Sequence, residues 1–472
     1  MFKKILQWLQ RMLTAGTTVQ SNETPAQILI SSEMESAISR WAMEYEGAPP
    51  WIAKDSKTLG LAAAIAAEIA RMVTMECDVS LTGSERADWI MQQLKKDLLP
   101  TLQTNVELAA ALGGLVLRPF ITGDGRVAID VLQGDCFYPL AFDSSRRMTA
   151  VVFVDQIVRS KKIYTRLEQH EFKNNAYRIL NRCFESGHTD SLGKEISLET
   201  VPEWEGIAPE TVLTNIDRPL FAYLRMPFAN RVDRHSPLGV SCFAAAERLL
   251  QDADEQYGRY IWEFEGGELA IHVADDVLYK NTENGRTELA KGRERLYRGL
   301  NIGVQNENFF ETFAPSLRDE SIKRGFNSIL QRIEFSCGLA YGTLSDPSVV
   351  EKTAEEIRAS KQRSYSTVSG IQHAVQAALE DLVYAIDQLA TFYHVKESGA
   401  GAYELAVDWG DSITNDPQLR KQNFLSLVMA GKFPMQRYLV EFEGYSEDEA
   451  RKAVQEAADE MNTGEPLAFE GA

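Results

Sequence analysis

SPLGVSCFAAAERLLQDADEQYGRYIWEFEGG, residues 236–267, sets the plan of this chain. Phe243, Ala246, Leu250, Ala253, Tyr257, Ile261 and Phe264 recur in it at steps of three and four, which puts one apolar stripe along a helix. Ser236 suits an N-cap and Pro237 a first helical position, and Gly266-Gly267 stops the helix. The spacing therefore predicts a helix over 236–265. A second, over 315–337, carries Leu317, Ile322, Ile329, Leu330 and Ile333 and ends at Gly338. After Asp346-Pro347 a third runs towards Lys396, and at about 1.5 Å per residue it could approach roughly 70 Å if straight. Ser364, Ser366, Ser369 and Gly370 predict a bend in its middle. Between the first two helices, Glu268 to Val273, Val277 to Tyr279 and the Asn284-Gly285 turn predict a small strand-containing insert, with a short basic helix over 286–298. This is a shaft with something at each end, not a catalytic pocket.

The chain has 472 residues, enough for two to four domains with real cores. Its formal net charge of −19 makes it a poor candidate for gripping nucleic acid by counterion release, which needs clustered Lys and Arg. It could still surround DNA without holding it, because like charge discourages adhesion. Cys77, Cys136, Cys183, Cys242 and Cys337 are scattered, with no metal-ligand spacing, and an odd count suits a reducing compartment. No apolar run is long enough to span a membrane.

Outside the shaft, Phe2 to Leu9 reads as an amphipathic docking helix, and Thr14 to Pro25 as a polar linker. Ser32 to Glu46 places Met34, Ile38, Trp41 and Ala42 on one helical face, Leu59 to Met75 is a second helix, and Ser84 to Gly113 gives two more broken at Pro100. Then the period changes. Leu115 to Leu117, Val127 to Val131 and Thr149 to Val154 have strand composition, with a hairpin turn at Thr122 to Gly125. Lys162 to His170 and Ala176 to Phe184 form another hairpin around Asn174-Asn175. Residues 27–235 thus read as an α+β domain, helices first and an antiparallel sheet second. Ala402 to Asp408 is a last strand returning to that domain, and helices follow over Asp416 to Ala430 and Ser446 to Asn462.

There is no phosphate-binding loop, zinc-protease motif, paired Cys-x-x-Cys or nucleophile elbow. His170, in Glu168-Gln169-His170-Glu171, is the foremost catalytic suspect, against an ordinary half-exposed strand histidine. Asp252, Asp254 and Glu255 with Asp275 and Asp276 could converge on a divalent ion. Adjacent helical positions do not face the same way, however, and a solvated polar face is the simpler reading. Glu355, Glu356, Arg358, Lys361 and Arg363 read either as a paired solvent face or as the charged lining of a passage.

Six stretches stand in order along the chain: Tyr45-Glu46-Gly47-Ala48-Pro49-Pro50-Trp51-Ile52, Gly134-Asp135-Cys136-Phe137-Tyr138-Pro139-Leu140, Pro219-Leu220-Phe221-Ala222-Tyr223, Ser236-Pro237-Leu238-Gly239-Val240-Ser241, Gly338-Leu339-Ala340-Tyr341-Gly342-Thr343-Leu344-Ser345 and Lys352-Thr353-Ala354-Glu355-Glu356-Ile357. Together they resemble the portal proteins of tailed double-stranded-DNA bacteriophages, in the siphophage branch of Gram-positive hosts. The resemblance implies a portal-like α+β fold. After an arm and linker at 1–26, a wing would cover 27–235 with a returning part at 351–430. Stem helices would lie at 236–265 and 315–337, a clip at 266–314, a tunnel loop at 338–350, and a crown with an acidic tail at 431–472.

The function so implied is a ring of about twelve subunits at one capsid vertex of the virion, assembled in the host bacterial cytoplasm. Double-stranded DNA would be packaged and ejected through it without sequence specificity. The terminase large subunit, head-completion or adaptor proteins, and the major capsid and scaffold proteins would be its partners. Tyr341, Thr343, Leu344, Ser345 and Asp346 would line the channel. Arg286, Arg293, Arg295 and Arg298 would meet the motor, and Phe243, Leu250, Tyr257 and Ile261 would pack the stem. No catalytic residue, cofactor, metal or membrane is implied. A head-to-tail ring needs two different surfaces on each subunit, and a channel for sliding DNA must avoid tight phosphate contacts. Two other classes stay open: a virion or scaffold protein without a channel, and a carboxylate-metal hydrolase using Asp254 and Asp275.

Overall fold

A computed structural model describes residues 5–7, 9, 28–52, 57–123, 125–188, 191–274, 297–300, 310–346, 354–396, 398–410, 421, 424–426, 428–429 and 434–463. They fall into two compact units, Met1–Trp409 and Gly410–Ala472. Helices and mainly antiparallel sheets make the chain α+β, as the change of period after Gly113-Gly114 predicts.

Helix α1 (Ser32–Tyr45) starts where Ser31 Oγ accepts from Met34 N at 3.3 Å, and it turns Met34, Ala37, Ile38 and Trp41 inward. Helices α2 (Leu61–Thr74), α3 (Glu85–Asp97) and α4 (Leu102–Leu112) follow. A 3-10 turn at Leu99–Thr101 separates the last two, because Pro100 has no N–H to give a continuous helix. Buried alanines on α2 and α4 let these two helices pack closely.

Strands β2 (Gly114–Ile121) and β3 (Val127–Gln133) form the expected hairpin, and β10 (Ala222–Arg225) pairs with the other edge of β2. A larger antiparallel sheet runs β4 (Phe137–Phe142), β5 (Met148–Arg159), β6 (Lys162–Lys173), β7 (Ala176–Ser186), β8 (Lys194–Ile196), with β9 (Glu210–Thr214) also on β7. Asn174 and Asn175, at φ 51° and 57°, make the two-residue turn between β6 and β7. The returning strand β14 (Glu404–Asp408) pairs with β1 (Asp78–Thr82). Arg86 secures that return. Fully buried, it reaches Asp387 O at 3.0 Å, Asp387 Oδ1 at 3.2 Å and Ser398 O at 3.4 Å, and it also donates to Lys396 O.

The long helix is a single element, α7 (Ala354–Phe392), of 39 residues. It buries Val368, Ile371, Val375, Leu379, Leu382 and Ile386 and packs on β2 and β10. It is helical throughout Ser364 to Gly370, and small residues there admit neighbours: buried Ser364 donates to Met72 Sδ at 3.6 Å.

One expected helix begins late. Ser236 to Phe243 is not helical; a 3-10 turn at Ala244–Ala246 leads into α5 (Glu247–Gly266). Ser236 is therefore no N-cap, and its Oγ instead accepts from Leu238 N at 3.3 Å. The reason lies at the end of α4. Cys242 N donates to Ala110 O at 2.8 Å, so the segment serves a carbonyl that α4 leaves open. Gly239 meets Gly113 backbone to backbone, with no room for a Cβ. The second unit contains α8 (Met435–Glu443) and α9 (Glu447–Thr463). Ser446 and Glu449 cap α9 reciprocally, at 3.0 and 3.3 Å.

Candidate functional site

Helix α5 packs on α6 (Asp319–Cys337) as an antiparallel hairpin. At its tip, Arg318 N and Nε donate to Glu263 Oε1 at 2.9 and 3.1 Å, and Nη2 donates to Oε2 at 2.7 Å. Those bonds from the Arg318 side chain and backbone hold the Glu263 carboxyl down at about 2. Beyond the tip lies a three-stranded sheet in the order β12 (Tyr297–Leu300), β11 (Ala270–Ala274), β13 (Phe310–Phe313), the first pair parallel and the second antiparallel. Arg298 lies in β12 opposite His272, so the expected basic helix does not extend to it. Arg286, Arg293 and Arg295 lie outside the described residues, as do Asp275 and Asp276.

The expected apolar stripe begins ahead of α5, with Phe243 before the 3-10 turn and Ala246 in it, and changes character along its length. Phe243, Ala246, Leu250 and Ala253 are buried, Tyr257 and Ile261 are half-buried, and Phe264 is exposed. Trp262 at 69 %, Leu269 at 56 % and Leu317 at 41 % add to the apolar surface that the tip leaves uncovered.

The base is organised by a residue the sequence argument passed over. Glu334, wholly buried, accepts from Gly342 N at 3.1 Å, Leu344 N at 2.6 Å and Ser345 N at 2.8 Å through Oε1, and from Ser345 Oγ at 2.9 Å through Oε2. Asn327 grips the next residue: its Oδ1 accepts from Asp346 N at 2.7 Å, and its Nδ2 donates to Asp346 O at 3.4 Å. The described part of the loop, 338–346, is thus wrapped around two polar side chains of α6. Of the five residues expected in a channel wall, Ser345 is buried, Tyr341, Thr343 and Leu344 are half-buried, and Asp346 is exposed. Arg363 lies over the Phe335 ring at 4.3 Å and the Tyr341 ring at 5.4 Å, joining α7 to the same base. The sequence did carry a signal. Asn327 and Glu334 share the helical face of Leu330, Ile333 and Cys337, and a polar residue on a core face needs a partner.

The catalytic and metal suspects have structural partners. His170 is buried rather than half-exposed, with Nδ1 2.5 Å from Tyr177 Oη and Nε2 2.6 Å from Glu168 Oε1. Glu168 also accepts from Arg118 at 3.1 Å and pairs with Arg166 at 3.0 Å. Burial pushes the Glu168 carboxyl up, but His170 and the two guanidinium groups outweigh it and hold the group well below the usual carboxylate range. The network joins β2 to β6 and β7 in the sheet core. Asp254 is buried rather than solvated, and it accepts from Trp51 Nε1 at 2.9 Å, Leu59 N at 2.8 Å and Thr58 Oγ1. Among the described residues no cluster of three or more His, Cys, Asp or Glu could hold a metal ion. No described helix is long and apolar enough to cross a membrane.

No protein-family model matches the chain, and no curated protein does. Among solved structures the chain is similar to a chain of the "Neck of native GTA particle computed with C12 symmetry", at 13 % identity. The match covers 92 % of this chain and 98 % of that one, with a TM-score of 0.42. A likeness at that level leaves function to be argued from the chain's own residues.

Proposed function

We propose that this chain is a portal-type subunit that closes into a head-to-tail ring, of about twelve copies, at one vertex of a phage capsid. Double-stranded DNA passes through the ring during packaging and ejection. The terminase large subunit, and afterwards head-completion proteins, dock at the sheet beyond the hairpin tip. The observation that carries this reading is the asymmetry of the α5–α6 hairpin. Its base is complete within one chain, whereas its tip leaves Trp262, Phe264, Leu269 and Leu317 uncovered. Side chains of that size in one region ask for a protein neighbour, and a neighbouring copy supplies one. The order of parts adds support: a helix, an inserted small sheet, a second helix, a tight loop and a long helix follow one another as in the family that the six sequence stretches resemble. The −19 charge suits a passage that DNA must slide through.

Native mass spectrometry with negative-stain imaging tests it. Twelve copies of the 52.9 kDa chain make about 635 kDa, and a closed ring of near that mass with a bore wide enough for duplex DNA is expected. A closed particle with no bore would favour the non-channel virion or scaffold protein. A compact two-fold dimer, or steady ATP hydrolysis by this chain alone, would overturn the portal reading.

A further inference from the structure

Glu44 sits in the last turn of α1, 3 % exposed, and neither of its carboxylate oxygens has a hydrogen-bond partner. It lines a cavity of about 10 Å³ together with Trp51, Thr58, Leu250 and Asp254. That is about the room one water molecule needs, and too little for a hydrated cation. None of the groups around it bonds to the carboxylate, and Arg40 acts on it only at a distance. From α5 come two more carboxylates, Glu247 and Asp254. The polar donors nearby already serve them: Trp41 Nε1 and Arg40 Nη2 donate to Glu247, and Trp51, Thr58 and Leu59 donate to Asp254. Helix α2 offers only Leu61 and Ala62, and Glu107 of α4 is taken by Tyr45 Oη at 2.8 Å.

We propose that Glu44 is a proton-operated latch between α1 and the start of α5, closed while the side chain is a neutral acid and loosened when it loses its proton. The surroundings fit that role. Burial first, then the Glu247 charge, push the Glu44 carboxyl up to about 8 against the opposing pull of Arg40. The folded state therefore holds this proton more tightly than the unfolded chain. Stability falls as pH rises from the ordinary value of 4.5 to about 8, and the loss is complete above it. The latch stands whatever the chain's function, because it concerns two helices of one subunit.

The test is thermal unfolding of the full chain between pH 6 and 9, with amide exchange followed in 51–52, 57–60 and 247–254. In the wild type the midpoint drops by several degrees across this range, and protection in these segments, taken relative to the base-catalysed intrinsic rate at each pH, falls by roughly tenfold or more. Glu44→Gln, which stays neutral, flattens both responses and is the more stable protein at pH 9. Should that variant fail to fold, Glu247→Gln removes the repelling charge and moves the transition to lower pH. An unchanged slope in Glu44→Gln, no slope in the wild type, or a transition that Glu247→Gln leaves in place would each overturn the latch.

Discussion

The two ends of the α5–α6 hairpin are built on opposite principles. At the base, Glu334 and Asn327 bring a nine-residue loop, 338–346, into a closed set of hydrogen bonds that uses no other chain. At the tip, one exposed ion pair between Glu263 and Arg318 holds the helices together, and large apolar side chains face outward. The base is finished by folding. The tip leaves large apolar side chains exposed within one chain. Were the chain to join a ring as proposed, it would need both kinds of end, and the same two helices carry them.

The sharpest break in this contrast comes from Glu334→Ala. It removes the shared acceptor of the Gly342, Leu344 and Ser345 N–H groups, of which Gly342 N keeps a second acceptor in Ser345 Oγ at 3.2 Å, and we expect a loss of about 3 kcal/mol in unfolding free energy, with amide protection gone from 338–346. A similar loss with protection intact would mean the loop is held some other way. Gly338→Val comes next. Gly338 has φ 73°, and a Cβ there would run into Thr367 Oγ1 of α7. About 2 kcal/mol should be lost in chemical denaturation, whereas Gly325→Ala, in open space on the same helix, should lose none.

The tip should answer in the reverse sense. Trp262→Ala and Leu317→Asp should each change the stability of the isolated subunit by no more than about 0.5 kcal/mol, yet lower the particle mass found by native mass spectrometry. Unchanged assembly in both would remove the tip from the interface. The smallest effect is electrostatic. Glu263 is held down at about 2, so its contribution is present above the ordinary carboxylate value and is lost as pH falls towards 2. Amide protection over 317–322, taken relative to the intrinsic exchange rate at each pH, should fall in that acid window in the wild type, and Arg318→Ala should abolish the fall.

Much of the fold was legible because period and punctuation agree. The face of Met34, Ile38 and Trp41, the break at Pro100, the Asn174-Asn175 turn and the strand returning at 404–408 all follow from local chemistry. The start of α5 was not legible. Ser236-Pro237 has the residues of a helix start, but the Ala110 carbonyl left open at the end of α4 claims Cys242 N in the following segment, and that pairing is set by tertiary contact. The candidate site was read in outline only. Its helices are periodic, but the acids that matter, Glu334 and Glu44, differ from ordinary surface glutamates only in what surrounds them. Asp254 fared likewise, since the segment that supplies Trp51, Thr58 and Leu59 comes from nearly two hundred residues earlier in the chain.

The pairing of β1 with β14 bears on how the chain is made. Strand β1 finds its partner only when Asp408 has been synthesised, several hundred residues after Asp78. At translation rates of roughly 5–20 residues per second, that wait lasts tens of seconds. For that time Val79 and Leu81 stand on a strand with neither edge paired, and buried Arg86 has none of the carbonyls of 387–398 to bind. An unpaired edge is a template for wrong partners. A nascent chain of this protein therefore carries an unpaired strand through most of its synthesis, and a ribosome stalled before residue 404 releases a product that cannot close the β1–β14 pair.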